Sequence, residues 1–99
     1  MPAVSRVGDS LSTGHGCDGT TTIASSNTDG SVKVDSINAI VVGAPTVSHL
    51  IPSGVCVPHI AQLNAGSSSV FIQGIAVGRV GDSADAGAMT SGSPSVYAG

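Results

Sequence analysis

Val70-Phe-Ile-Gln-Gly-Ile-Ala-Val-Gly-Arg-Val-Gly81 lies without a gap over Val32-Lys-Val-Asp-Ser-Ile-Asn-Ala-Ile-Val-Val-Gly43. A third copy exists only if the chain is read as a circle, with Val96-Tyr-Ala-Gly99 running on into Met1-Pro-Ala-Val-Ser-Arg-Val-Gly8. In this register Val96, Val32 and Val70 coincide, Arg6 falls on Arg79, and Val7-Gly-Asp-Ser10 falls on Val80-Gly-Asp-Ser83. The apolar residues come as short β-branched runs bounded by Gly, Ser, Asn and Pro, without a helical period, which is the pattern of strands and turns. One such unit cannot bury its apolar face alone, so the units must stack or close around an axis. The expectation is an all-β fold, a small domain of three pseudo-symmetric β repeats with loops converging on a metal site at one end. A single domain would span 1–99, its first repeat split between 91–99 and 1–16, its second covering about 30–61 and its third about 66–90. Met1 and Gly99 would then lie side by side.

The composition limits what such a domain can do. Of 99 residues 40% are hydrophobic, but with one Tyr, one Phe and no Trp the core must be thin. Thin cores need a staple such as a metal, a disulfide or a partner chain. Charged residues make up 9% of the chain, against about 25% in ordinary domains, a surface suited to a protein that spends its life docked. Arg6, Lys33 and Arg79 are the only basic side chains and the net charge is −3, which excludes neutralising a run of phosphates. No segment has the apolar length of a signal peptide or a membrane span. A start in a reducing cytoplasm is expected, where Cys17 and Cys56 are read as thiols rather than as a disulfide.

Ligand candidates follow the Val-Gly corners. His15 comes seven residues after Gly8 and His49 six after Gly43, while the matching place after Gly81 holds Gly87-Ala88, so the third loop is expected to donate nothing. The second loop runs on as Ser48-His-Leu-Ile-Pro-Ser-Gly-Val-Cys-Val-Pro-His59 and adds Cys56 and His59. Three imidazoles and a thiolate suit a closed tetrahedral structural zinc ion. Cys17, two residues from His15, is the rival thiol; Cys56 is preferred because Pro58 stiffens its link to His59. With all four positions filled by protein, the ion would hold loops together and catalyse nothing.

Pro2-Ala-Val-Ser-Arg-Val-Gly-Asp9 and Ile75-Ala-Val-Gly-Arg-Val-Gly-Asp82 resemble the Pro-Ala-Ala-Arg motif of the PAAR-repeat proteins, and Gly66-Ser-Ser-Ser-Val70 and Gly92-Ser-Pro-Ser-Val96 resemble that family's repeat openings. The middle copy departs from it, with Ile40-Val-Val-Gly43 where arginine and Gly-Asp would stand. The resemblance implies a cone with one zinc ion near its apex, held here by His15, His49, Cys56 and His59. It implies a partner, the trimeric β-helical spike of a contractile phage tail or type VI secretion machine, capped by one chain per trimer, with transient contact at a target membrane. It also implies synthesis in a bacterial cytoplasm and assembly at the spike tip, in a virion or a secretion apparatus.

Other readings compete. Gly8-Asp-Ser-Leu11 resembles the nucleophile block of a lipase and esterase family, but no late Asp-x-x-His pair accompanies it, and Gly81-Asp-Ser83 repeats it as a turn. A Cys56–His59 nucleophile pair would need both groups free of metal. An adaptor carrying effectors would have to hold its cargo non-covalently.

Overall fold

The computed structural model describes residues 1–99 and contains strands and no helix. The strands are β1 (Ser10–Ser12), β2 (Thr20–Thr22), β3 (Lys33–Val34), β4 (Ile37–Asn38), β5 (His49–Ser53), β6 (Val55–His59), β7 (Phe71–Ile72), β8 (Ile75–Ala76), β9 (Ser83–Ala84) and β10 (Gly87–Met89). They form one antiparallel sheet in the order β2-β1-β10-β9 and three separate hairpins, β3–β4, β5–β6 and β7–β8. The molecule is elongated, about 40 × 25 × 21 Å.

What joins these short pieces is a closed ring of backbone hydrogen bonds. The Ser5 N–H donates to the Gly78 carbonyl at 2.9 Å, Gly78 to Ile40 at 2.8 Å, and Ile40 back to Ser5 at 3.3 Å. These residues occupy one position of the threefold sequence register, so the ring encircles a pseudo-threefold axis. A second cycle runs beside it: Val7 donates to Asn38 at 3.0 Å, Val42 to Ala76 at 3.0 Å and Val80 to Ala3 at 2.9 Å. The termini lie together, because Ala3 bridges Tyr97 and the Ala98 N–H donates to Pro2 at 3.0 Å.

Core packing follows the same register. One cluster consists of two matched triads, Val34/Ile72/Ala98 and Val4/Ala39/Val77, together with Val41. The next contains Ile23, Leu63 and Met89, with Leu11, Ala84, Ile40 and Ala44. Gly8, Gly43 and Gly81 turn the chain between the two clusters with φ of 88°, 93° and 91°, a region closed to most side chains. Each donates its N–H to the carbonyl of Ile23, Leu63 or Met89. Ile40 and its counterpart Gly78 could not both carry a large side chain, and the sequence leaves one of the two without any. A Cβ on Gly78 would stand 2.5 Å from Leu63 and 3.0 Å from Ile40.

The repeat openings have a local cause. Ser67 Oγ accepts the N–H groups of Ser69 and Val70 at 3.1 and 2.9 Å, and Ser93 Oγ does the same for Ser95 and Val96 at 3.0 and 2.9 Å. Serine thus caps the donors that open two of the repeats, and in the middle one Asp29 stands at that place, its Oδ1 accepting the Ser31 N–H at 2.9 Å. After the hairpin, Arg6 clamps Asp9 with Nε–Oδ2 at 3.0 Å, and Arg79 clamps Asp82 identically at 3.0 Å. In the middle repeat both partners are replaced together, by Val41 and Ala44, and both are fully buried. The change is conservative only as a pair, since removing one member leaves the other a poorly solvated charge. Arg79→Val and Asp82→Ala should each lower stability by about 1–3 kcal/mol, and the double variant should cost less than their sum. Urea unfolding of all four proteins measures the coupling.

Candidate metal centre

Beyond the second core cluster three loops meet. His49 and His59 face each other across the root of the β5–β6 hairpin, in direct register. His15 lies in the connection between β1 and β2, and Asp85 in the two-residue turn between β9 and β10. Two glycines allow this approach. A Cβ on Gly14 would lie 2.2 Å from the Ala86 carbonyl oxygen, and one on Gly87 would lie 2.1 Å from that of Ser12. The Asp85 turn is fixed on both sides: its N–H donates to Gln62 at 3.1 Å, and its carbonyl accepts from Asn64 Nδ2 at 2.9 Å.

All three imidazoles turn Nε2 toward the Asp85 carboxylate. His15 and His49 reach Oδ2 at 2.9 and 2.8 Å, and His59 lies 3.4 Å from Oδ1. The four ligand atoms fall within 4.8 Å of one another. An ion with bonds of 2.0–2.1 Å in a tetrahedron has its ligand atoms ~3.3 Å apart, so the set is close to the size that an ion requires. The outer nitrogens are also committed. His15 Nδ1 is 2.9 Å from the Gly16 carbonyl and His49 Nδ1 is 2.9 Å from that of Val47. Carbonyls only accept, so Nδ1 carries the proton and a neutral ring presents a bare Nε2 lone pair inward.

That arrangement does not stand alone above the imidazole range. Lone pairs on His15 and His49 would then face a carboxylate oxygen that is itself an acceptor. Either the rings are protonated, placing several positive charges around one negative charge, or a single cation sits between them. The Gly16 carbonyl first, then Asp85, raises the His15 pKa against desolvation. Burial pushes the Asp85 carboxyl up, but hydrogen bonds from His49, His15 and His59 outweigh it and hold the group below its ordinary value. The cluster of three histidines and an aspartate is suited to hold a metal ion.

The structure brings together three of the four residues expected from sequence and replaces the fourth. Cys56 is not a ligand: it forms a disulfide with Cys17, Cα to Cα 5.9 Å, and neither cysteine is free. Residues three apart on a strand point to opposite faces, so within β6 Cys56 and His59 cannot converge on one ion. The reading of the two cysteines as thiols is corrected with it. The disulfide closes a separation of 39 residues, worth about 4 kcal/mol on a chain-entropy estimate, and it staples the thin core. The third loop, expected to be silent, supplies Asp85. It follows Gly81 by four residues rather than six or seven, and it is a carboxylate where imidazole or thiol was sought. Ser10 has only Thr90 and Ser91 as hydroxyl partners, at 2.9 and 3.2 Å, while the imidazoles gather around Asp85.

No protein-family model and no curated protein matches this sequence. Asp85→Ala should remove the only anionic ligand and weaken binding of a divalent cation at least tenfold with the fold retained, as read by calorimetric titration alongside far-ultraviolet circular dichroism. Reduction of the disulfide should lower the thermal midpoint without abolishing that binding.

Proposed function

We propose that this chain caps the trimeric β-helical spike of a contractile injection machine, with one structural zinc ion fixing the opposite, narrow end. The observation that carries this reading is the base. Val32, Val70 and Val96, equivalent in the three repeats, are exposed to 40, 40 and 38%. They ring a concavity of about 520 Å³ that draws its walls from all three repeats, with Phe71 and Tyr97 beside them. A trimeric β-helix ends in three identical strand edges and an open apolar core, which must be covered to prevent aggregation. A single chain with near-equal apolar contacts at three positions suits that end, and unlike a homotrimer it can vary its three loops to build an asymmetric set such as three histidines and one aspartate.

Zinc is favoured because three imidazoles and one carboxylate in a compact set suit it better than magnesium or calcium. Four protein ligands leave no position for substrate, so the ion's role is structural and no catalysis is assigned. Such a chain would be made in a bacterial cytoplasm and assembled at the tip of a phage tail or a type VI secretion spike, where it would help to pierce the target envelope. The PAAR-repeat resemblance in Arg6–Asp9 and Arg79–Asp82 points the same way.

Co-purification with the trimeric β-helical protein encoded nearest to it should give one cap per trimer. Phe71→Asp should abolish that complex, and His15→Ala should leave it intact. A complex unaffected by Phe71→Asp would remove the base from the reading. Metal analysis should find one zinc per chain, released as the pH falls through the imidazole range, because protonation competes for the ligands.

A further inference from the structure

The Cys17–Cys56 disulfide and the metal centre tie together the same two elements. Cys17 follows His15 by two residues in the connection between β1 and β2, and Cys56 lies in the hairpin whose root carries His49 and His59. The two ties face opposite ways. Both cysteines are exposed, so the disulfide is open to thiols in solution, whereas the three imidazoles turn inward to Asp85.

Little else orders the loop that bears His15. Gly14-His-Gly-Cys-Asp-Gly19 has glycine at three of its six positions, and glycine loses the most freedom when it is fixed. The Asp18 N–H donates to the Leu50 carbonyl at 3.1 Å, Asp18 Oδ2 accepts the Leu50 N–H at 2.8 Å, and Thr13 Oγ1 donates to the Asp18 carbonyl at 2.7 Å. Hydrogen bonds that water can replace contribute little net stability. The loop buries no apolar side chain of its own, and Gly16 only lies against Pro52, where a Cβ would come within 3.9 Å of Cγ. Cys17 also has φ of 67°, a left-handed conformation unfavourable to a residue with a side chain. The bond to Cys56 holds it there, so breaking that bond frees the segment to relax and His15 to move with it.

We infer that the Cys17–Cys56 bond is a redox latch on the metal centre: it raises the affinity of the three histidines and Asp85 for a divalent cation, and the bound cation in turn protects the bond from reduction. Whichever tie forms first meets the cost of ordering the loop, and the second forms on a loop already in place. Such coupling is reciprocal, the same factor acting in both directions. The reductant is a low-molecular-weight thiol such as glutathione. Its thiolate attacks one cysteine sulfur and releases the other, a second thiol displaces the mixed disulfide, and two electrons and two protons pass to Cys17 and Cys56 as the two glutathiones join. The freed Cys56 sulfur does not replace the lost order, because within β6 it points to the face opposite His59. A reducing compartment therefore loosens the ion and an oxidising one locks it. This latch rests on the reading of the cluster as a metal centre and is independent of what the base binds.

Calorimetric titration with zinc chloride compares the oxidised chain, the same chain reduced by a phosphine, and Cys17→Ser/Cys56→Ser, with circular dichroism checking the fold of each. The oxidised chain should bind about tenfold more tightly than the other two, which should agree with each other. Equal binding by all three overturns the latch, and so does tighter binding by the reduced wild type than by the serine variant, which would mean that a thiolate joins the ion. In glutathione redox buffers with free zinc fixed by a chelator, zinc should lower the reduction potential of the disulfide by ~30 mV for a tenfold coupling. Alkylation and mass spectrometry read that midpoint, and a midpoint that ignores zinc is contrary to the linkage. Gly16→Ala stiffens the loop and should narrow the gap between oxidised and reduced chains; an unchanged gap would show that loop order is not its source. If the oxidised chain takes up no zinc, the metal centre falls and the latch with it. If zinc binds equally in both states, only the latch falls, and co-purification with the spike tests the cap separately.

Discussion

Closure of the Ser5–Gly78–Ile40 hydrogen-bond ring is the constraint on which the other features depend. Five of the ten strands are two residues long, too short to be stable as isolated hairpins. They persist because each repeat donates to the next and the last donates to the first. The circle is completed by residues from opposite ends of the polypeptide, so the non-covalent seam between Val96–Ala98 and Pro2–Val4 has to carry what a peptide bond carries elsewhere.

Closure by three inexact copies permits what a homotrimer cannot do. Beside the axis Ile40 fills the space that a side chain on its counterpart Gly78 would need, so the two repeats cannot carry the same residue there. At the Arg-Asp clamp two repeats keep the ion pair and the third exchanges it whole for Val41 and Ala44. Beyond the clamp the copies diverge fully: one loop gives His15, one grows a hairpin bearing His49 and His59, and one shrinks to the turn that presents Asp85. The base keeps its threefold likeness while the far end becomes a single asymmetric site.

The repeat register, the strand class and the gathering of the histidines were legible because they rest on β-branched runs and on Val-Gly corners, both of which are local. Asp85 was not legible in the same way. Carboxylates recur in this sequence as turn formers, and its role comes from Gly14 and Gly87 letting two backbones touch, a contact between residues 72 or more positions apart. Cys56 is near His59 in sequence but not in the direction of its side chain. The segment is a strand, and a separation of three residues sends the two side chains to opposite faces.

The fate of the cysteines and the identity of the anionic ligand are one decision. A thiolate ligand and a disulfide draw on the same sulfur, and a site built on Cys56 would lose its ligand to oxidation. By placing both cysteines in the exposed Cys17–Cys56 crosslink, the chain gains a staple between the His15 loop and the β5–β6 hairpin, two of the elements that must stay in register for the imidazoles to converge. The single negative charge needed beside three neutral imidazoles then comes from a carboxylate, which oxidation does not touch. The disulfide holds the loops from outside and Asp85 orders them from within, so the tip can keep its shape in an oxidising compartment where a thiolate site would be at risk.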